Sequence, residues 1–439
     1  MDWTNIYKKK VMSVTDAIDA VIKDGDTVAL GGLAIAVAPL NAMFDKIKAG
    51  NLRGITLNGN LITDYLPLED PDFTEEKIRY QCFFFGGIER KGYKARTTTF
   101  VPMQFNHYRR FMTEHVKPDV GIIHVTPPDE NGYCNIGPLG AGFMPAVVES
   151  SKKIIAQVNN NIPRTFGHPE LNVHINKITA VVEANTPIPL YPMTEVTETD
   201  RAIAEHIIDL IPDEATIQLG LGGMANAIGY GLKDKRNLGV HSEMFTESMA
   251  YLHNIGVITN ARKTFMPGVS VAGFTLGNQA QYDYCRQNKE LYFAPYSFTN
   301  NVENIIKNDK MISVNNAISV DLGGQICTGS IGFRHFSGTG GHVDFVRGAS
   351  QSKGGKSFVA MPATLEKNGQ LQSKIVLSLP EGSAVDTLRS DVMYVVTEYG
   401  CVNLFGEDLP HRAKKLISIA HPQFRDQLTF DAKKAGILY

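Results

Sequence analysis

Two glutamates stand where short apolar runs end in polar residues. Leu238-Gly-Val-His-Ser-Glu-Met244 carries Glu243, and Val396-Thr-Glu-Tyr-Gly-Cys401 carries Glu398. In open α/β sheets the carboxyl ends of strands form the edge where ligands bind. A carboxylate placed there can act as base or nucleophile. Either residue taken alone reads as a solvated surface Glu.

Two glycine-rich stretches could serve such a carboxylate. Gln218-Leu-Gly-Leu-Gly-Gly-Met-Ala-Asn-Ala-Ile228 follows an expected strand and opens an expected helix. Its glycines let the backbone approach a ligand, and a helix N-terminus favours an anion. It lacks the spacing of a dinucleotide fingerprint, and a merely tight strand-to-helix turn fits as well. Phe336-Ser-Gly-Thr-Gly-Gly-His-Val-Asp-Phe-Val-Arg-Gly-Ala349 exposes several backbone N–H groups. Arg347, Lys353 and Lys356 near it are candidates for phosphate. Gly355-Lys356-Ser357 is like the end of a P-loop, but position 350 is Ser where a glycine is required, so an NTPase is excluded. No Gly-x-Ser-x-Gly elbow occurs, which argues against that type of serine hydrolase.

These motifs need a scaffold of alternating strands and helices. Ser13 suits a helix N-cap, with Ala17, Ile18, Val21 and Ile22 as the apolar face. Asp24-Gly25 breaks it, and Thr27 to Leu30 forms a strand before a glycine loop. The order recurs: Ile203, Ile207, Ile208 and Ile211 line a helix, Asp213-Glu214 turns, and Ala215 to Leu219 forms a strand. Asp24, Thr27, Leu30 and Gly31 match Asp213, Thr216, Leu219 and Gly220 at one offset of 189. A second echo pairs Asp119 to Thr126 with Asp391 to Thr397, each followed by Gly-x-x-Asn. Further buried parallel strands are expected at Gly121 to Val125, Lys153 to Val158, Met311 to Val314, Ser357 to Met361 and Tyr394 to Thr397. Two related open α/β domains follow, with a ligand cleft between them. Thr186-Pro-Ile-Pro-Leu-Tyr-Pro-Met193 marks the boundary. The expected division is 1–186, a Pro-rich linker 187–197, and 198–439.

Composition narrows the function classes. The 439 residues exceed one ordinary core. A hydrophobic content of 43%, 20% charged residues and a net charge of -2 describe a globular chain with no electrostatic reason to bind nucleic acid or an anionic membrane. The basic residues near the start precede no apolar run, so no secretory signal is expected, and no stretch approaches the roughly 18 apolar residues of a membrane span. Five cysteines without a Cys-x-x-Cys pair read as buried thiols in the cytoplasm. Twelve histidines without His-Glu-x-x-His give no support for a metal.

Taken in order, Gln218-Leu-Gly-x-Gly, His-Ser-Glu-Met, Ser-Gly-x-Gly-Gly-x-x-Asp-Phe-x-Arg-Gly-Ala and Thr-Glu-Tyr-Gly resemble the acetyl-CoA hydrolase/transferase family of class I CoA-transferases. The resemblance runs over the whole chain. It is strongest to the 4-hydroxybutyrate and butyrate CoA-transferase branch, which the opening Met-Asp-Trp and Ala413-Lys-Lys-Leu-Ile-Ser-Ile-Ala-His-Pro-Gln-Phe424 also fit. It implies ping-pong transfer of CoA between a short-chain acyl-CoA and a small carboxylate such as acetate. Glu243 would be the nucleophile, and a glutamyl-CoA thioester the intermediate. The backbone around Gly340-Gly341 would donate to an oxyanion. Gly220, Leu221, Gly222, Gly223 and Met224 would contact CoA, with Gly340 and Gly341. Asn315 matches an asparagine beside the thioester, Glu398 an acid near the nucleophile, and Lys356 a CoA-proximal lysine. Coenzyme A enters as substrate, no metal is implied, and a homodimer or larger homo-oligomer is. The chain departs from the family at Ala225 (usually Pro), His342 (usually Gln), Phe245 and Cys401-Val402. An acyl-CoA hydrolase on the same site, a non-catalytic CoA-binding module and a sugar-phosphate isomerase are the rival readings.

Overall fold

The computed structural model describes residues 3–33, 35–62, 66–192 and 194–439. Met1 and Asp2 of the opening motif, and Met193 of the proline-rich segment, lie outside the described residues. The chain forms two compact units, Met1–Tyr191 with Val271–Thr299, and Pro192–Ser270 with Asn300–Tyr439.

In the first unit the Ser13 hydroxyl accepts from the Asp16 N–H at 3.1 Å and starts helix α1, Val14–Val21, which buries Ala17, Ile18 and Val21. Gly25, at φ +80°, then turns the chain into strand β1, Thr27–Leu33. The strands β2 (Ile55–Ile62), β3 (Ile78–Cys82), β4 (Thr98–Phe100), β5 (Val120–Val125), β6 (Lys153–Val158) and β7 (Ala180–Glu183) follow. They form one parallel sheet in the order β4-β3-β2-β1-β5-β6-β7. Burial on both faces explains why these strands are continuous apolar runs rather than alternating ones. Residues 271–299 return to this unit because Phe293 is bracketed there. The His168 N–H donates to the Phe293 carbonyl at 2.8 Å and the Phe293 N–H to the Phe166 carbonyl at 3.1 Å. Tyr296 then packs on Phe143 and Phe105, with ring centres 4.6 and 4.9 Å apart.

The second unit repeats the plan. Thr197 and Asp200 form a reciprocal capping box for helix α2, Glu198–Ile208, which buries Ile203 and Ile207. The strands are β8 (Thr216–Leu219), β9 (Gly239–Met244), β10 (Met311–Asn316), β11 (Lys356–Ala360), β12 (Tyr394–Thr397) and β13 (Gly400–Asn403). Their order is β9-β8-β10-β11-β12-β13, parallel except for β13. The α/β reading therefore holds, and the expected strands lie within a residue or two of the observed ones except the first, which runs on from Leu30 to Leu33.

The echo at an offset of 189 is structural as well. β1 has β2 on one side and β5 on the other, and β8 has β9 and β10. Each sheet thus reverses its strand order at the echoed strand, which opens a crevice at its carboxyl end. Thr27 lies opposite Thr56, and Thr216 opposite Gly239. Near the carboxyl end of the first sheet the register shifts and Asn60 lies opposite Gly32, so an amide stands close to where the second repeat carries Glu243. Among the described residues no helix is long and apolar enough to cross a membrane.

Candidate active site

Strand register collects the second unit's polar residues on one rim. Ile217 lies opposite Val240, and Leu219 opposite Val314. Continuing the first register by about three residues and the second by about one brings Gly220, Glu243 and Asn315 level, at the carboxyl edge of β8, β9 and β10. The Ser242 hydroxyl, which donates to the Leu219 carbonyl at 3.5 Å, supports that alignment. Glu398 follows β12 on the same rim.

Glu243 keeps partial exposure while its flanking Ser242 and Met244 are buried. Its carboxyl pKa is pushed up to about 7 by burial, and is held from rising further by the Asn300 side chain and the Gly341 N–H. Asn300 Nδ2 donates to Glu243 Oε2 at 2.8 Å. At neutral pH the group is thus divided between acid and carboxylate. It is a better nucleophile when ionised than a fully solvated carboxylate, having lost part of its water.

Gly341 is the N-cap of helix α4, His342–Gln351, but its backbone is ordinary, at φ -94°. Space is what requires glycine here, since a Cβ would overlap the Glu243 carboxylate and the Asn300 amide. The loop before it is tied down at a distance. Asp386 accepts from the Thr328 and Gly329 N–H groups at 2.6 and 2.8 Å and from the Thr339 hydroxyl at 3.3 Å. His342 is buried, shares a 2.6 Å hydrogen bond with the Thr387 hydroxyl, and has its pKa lowered to about 4 by burial.

The other glycine loop opens helix α3, Gly223–Gly231. Gly222 has φ +110°, a conformation side chains avoid, and nothing lies within 4 Å of where a Cβ would stand at Gly220 or Gly222. The loop backbone is therefore open to an approaching ligand. Leu221 is exposed, and Met224 is buried in the first turn. Gly223 is instead packed against Asp200 and the Glu195 carbonyl.

The remaining expected residues separate. Asn315 forms a reciprocal amide pair with Gln218, at 3.3 and 3.4 Å. Glu398 accepts from the Ala363 N–H at 2.8 Å, and helps to limit the fall in the pKa of Lys374, which burial lowers to about 8. Lys356 opens β11 and pairs with Ile312, so it lies at the opposite, amino edge of the sheet. Its ammonium donates to the Leu210 carbonyl at 2.7 Å. The other basic candidates are also engaged: Arg347 with Asp391 at 2.8 Å and Lys353 with Asp309 at 3.3 Å.

Sequence reasoning passed over Asn300 altogether. It is fully buried, in the short connection between Tyr296–Thr299 and Val302–Ile306, 57 residues from Glu243. Its neighbour Asn301 has the readable role, capping the next helix through the Glu303 and Asn304 N–H groups. Asp344 sat inside a quoted motif without an assigned task. It is buried in the first turn of α4, with Oδ2 3.4 Å from Asn300 Nδ2.

A parallel α/β sheet with a half-buried carboxylate and glycine loops on its carboxyl rim defines a ligand-binding edge of the open α/β class. Comparison with known proteins makes this specific. Residues 1–192 match the model of the acetyl-CoA hydrolase/transferase N-terminal domain, and residues 277–432 that of the C-terminal domain. The chain belongs to the acetyl-CoA hydrolase/transferase family. It is 37% identical to the butyryl-CoA:acetate CoA-transferase of Anaerostipes caccae, over 100% of this chain and 99% of that one. It is 37% identical to the 4-hydroxybutyrate coenzyme A transferase of Clostridium kluyveri, over 99% and 100%. Its structure resembles that of RipA from Yersinia pestis, with TM-score 0.92 and 30% identity over 100% of both chains.

Proposed function

We propose that this protein is a CoA-transferase that moves CoA between a short-chain acyl-CoA and a small carboxylate such as acetate, by ping-pong chemistry on Glu243. The observation that carries the reading is the Glu243 carboxylate, half-buried on the carboxyl rim, with the Asn300 amide and the Gly341 N–H on it. Full-length similarity to named CoA-transferases supports it.

In this reading ionised Glu243 attacks the acyl-CoA carbonyl, and CoA leaves as thiolate. The product is a mixed anhydride of Glu243 and the acyl group. The thiolate then attacks the glutamyl carbonyl, the acyl carboxylate leaves, and a glutamyl-CoA thioester remains. An acceptor carboxylate reverses both steps. A carboxylate is a weak nucleophile, but binding beside the thioester supplies effective concentration. Anhydride and thioester are both energy-rich, so water must be kept from them. Gly220 to Gly222, with open space beside them, are the backbone we assign to the CoA chain, and Asn315 sits level with them on the rim.

The test is intact mass after incubation with a panel of acyl-CoAs, then borohydride reduction and peptide mapping. Reduction at Glu243 that disappears on adding acetate or butyrate, with new acyl-CoA formed, is expected. Release of free CoA without an acceptor acid would instead make the protein a hydrolase. CoA binding with neither outcome would make it a binding module.

A further inference from the structure

Lys374 is a cation on the carboxyl rim of the second sheet that makes no ion pair among the described residues. It follows a solvent-exposed antiparallel hairpin, Thr364–Lys367 with Gln370–Ser373. Its backbone is pinned on both sides. The Lys374 N–H donates to the Ala363 carbonyl at 2.9 Å, and the Val320 N–H donates to the Lys374 carbonyl at 3.0 Å. Its ammonium donates to the Ala317 carbonyl at 3.3 Å. Ala317 lies just beyond the carboxyl end of β10, and Ala363 just beyond that of β11, so the ammonium is delivered to the edge that carries Glu243. Burial pushes the Lys374 pKa down to about 8, because water is lost and no carboxylate replaces it. Glu398 opposes that fall through space, while its own carboxylate is taken by the Ala363 N–H at 2.8 Å. It keeps the ammonium charged without occupying it.

The neighbours of Lys374 narrow what could occupy it. Asn316, next to Ala317, donates its side-chain amide to the Leu221 carbonyl at 3.3 Å. The open Gly220 to Gly222 loop therefore rests against the same end of β10. β9 and β10 flank β8, so two strand spacings, about 10 Å, separate Glu243 from that end. A group bound at Lys374 is thus remote from the carbonyl that Glu243 would attack. Arg347 and Lys353 are already paired with carboxylates, and Lys356 stands on the opposite edge.

We infer that Lys374 is the subsite for a remote anionic oxygen group of the substrate, either a phosphate of CoA or the far carboxylate of a dicarboxylic acyl chain. The inference rests on the CoA-transferase reading. Both sources offer the same chemistry, an anionic oxygen accepting a charge-assisted hydrogen bond from one ammonium. Binding energy realised there, away from the reacting atoms, holds the thioester against the nucleophile.

The experiment is calorimetric titration of CoA, 3′-dephospho-CoA and pantetheine into the full-length parent, Lys374→Met and Lys374→Arg, with melting curves. The kcat/KM values for butyryl-CoA and succinyl-CoA, with acetate as acceptor, are measured alongside. Lys374→Met should weaken CoA binding about tenfold or more, the worth of a hydrogen bond to a charged group, and leave pantetheine within about threefold. Lys374→Arg should keep most of the affinity. A loss confined to CoA identifies the 3′-phosphate, and a loss shared with 3′-dephospho-CoA the diphosphate. If the far carboxylate is the partner, CoA affinity holds and the preference for succinyl-CoA over butyryl-CoA falls about tenfold. The melting temperature of Lys374→Met should be unchanged or higher, since an unpaired, largely buried ammonium is removed. Should Met fail to fold, Lys374→Gln carries the same comparison. A lower melting temperature with the CoA-to-pantetheine and succinyl-to-butyryl ratios both within threefold of the parent makes Lys374 a tie for the hairpin and overturns the inference, as do unmoved ratios alone. A parent protein that binds no CoA overturns the CoA reading itself, a result that appears before any substitution is made.

Discussion

Gly341 and Glu243 are matched by space: a Cβ at position 341 would overlap the Glu243 carboxylate and the amide that holds it. Gly341→Ala is therefore expected to fold, since φ -94° suits alanine, and to displace the carboxylate. Turnover should fall about 100-fold, the loss that a misplacement of about 1 Å in a reacting group can cause. Steady-state transfer from acetyl-CoA to butyrate, alongside a melting curve, checks both halves of the expectation.

Glu243, the proposed nucleophile, also carries a stability cost. Its folded pKa, about 7, lies above the unfolded carboxylate value of 4.5, so the fold holds its proton more tightly than the unfolded chain does. Stability conferred by the protonated group is present below the unfolded value and is lost as pH rises through the folded one. Glu243→Gln should be inactive, yet more stable than the parent at pH 8 by on the order of 2 kcal/mol, with no advantage at pH 4. Denaturant midpoints at the two pH values test this. If Glu243 is the nucleophile as proposed, transfer activity of the parent should rise with pH through about 7 as its carboxyl ionises.

Lys356 was a candidate CoA contact on sequence, but it sits at the amino edge with its ammonium on the Leu210 carbonyl. Lys356→Met should leave the KM for acyl-CoA within about twofold and lower stability by about 1 kcal/mol, the worth of one such hydrogen bond. A tenfold rise in KM with unchanged stability would return the residue to the CoA site.

His342 takes the place of the Gln that the family resemblance implies. Buried against Thr387, it has a folded pKa of about 4, below the 6.5 of the free side chain. The unfolded chain therefore takes up a proton first as pH falls, and stability drops between pH 6.5 and 4 by about 3 kcal/mol from this residue. His342→Gln keeps a hydrogen-bond partner for Thr387 and should lose that part of the acid sensitivity. His124 and His253, likewise lowered to about 4, remain as a common background. Urea midpoints from pH 7 to pH 4.5 for parent and variant measure the difference. Equal slopes would show that His342 is not buried neutral.

The amino-acid sequence by itself determined many of the strands, though not Ile55–Ile62, Ile78–Cys82, Thr98–Phe100 or Ala180–Glu183. Runs such as Lys153 to Val158 and Tyr394 to Thr397 are local and apolar, so their strand form needs no partner to be read. Glu243 was legible for the same reason: it closes one apolar run, and its place at a strand's carboxyl end follows from counting. The repeat, too, could be read in Asp24, Thr27, Leu30 and Gly31 against their partners near residue 216. Tertiary structure alone decided which residues meet. Lys356 and Asn315 are both polar residues at the ends of apolar strands, but parallel pairing of β10 with β11 sends them to opposite rims. The 271–299 segment joined the first unit through backbone bonds around Phe293 that no local pattern announces. Asn300 became the partner of Glu243 only because two chain segments 57 residues apart are folded onto each other. A hydrogen bond of that span leaves no periodicity in the chain, since its energy is realised only once the sheet has placed both ends within reach.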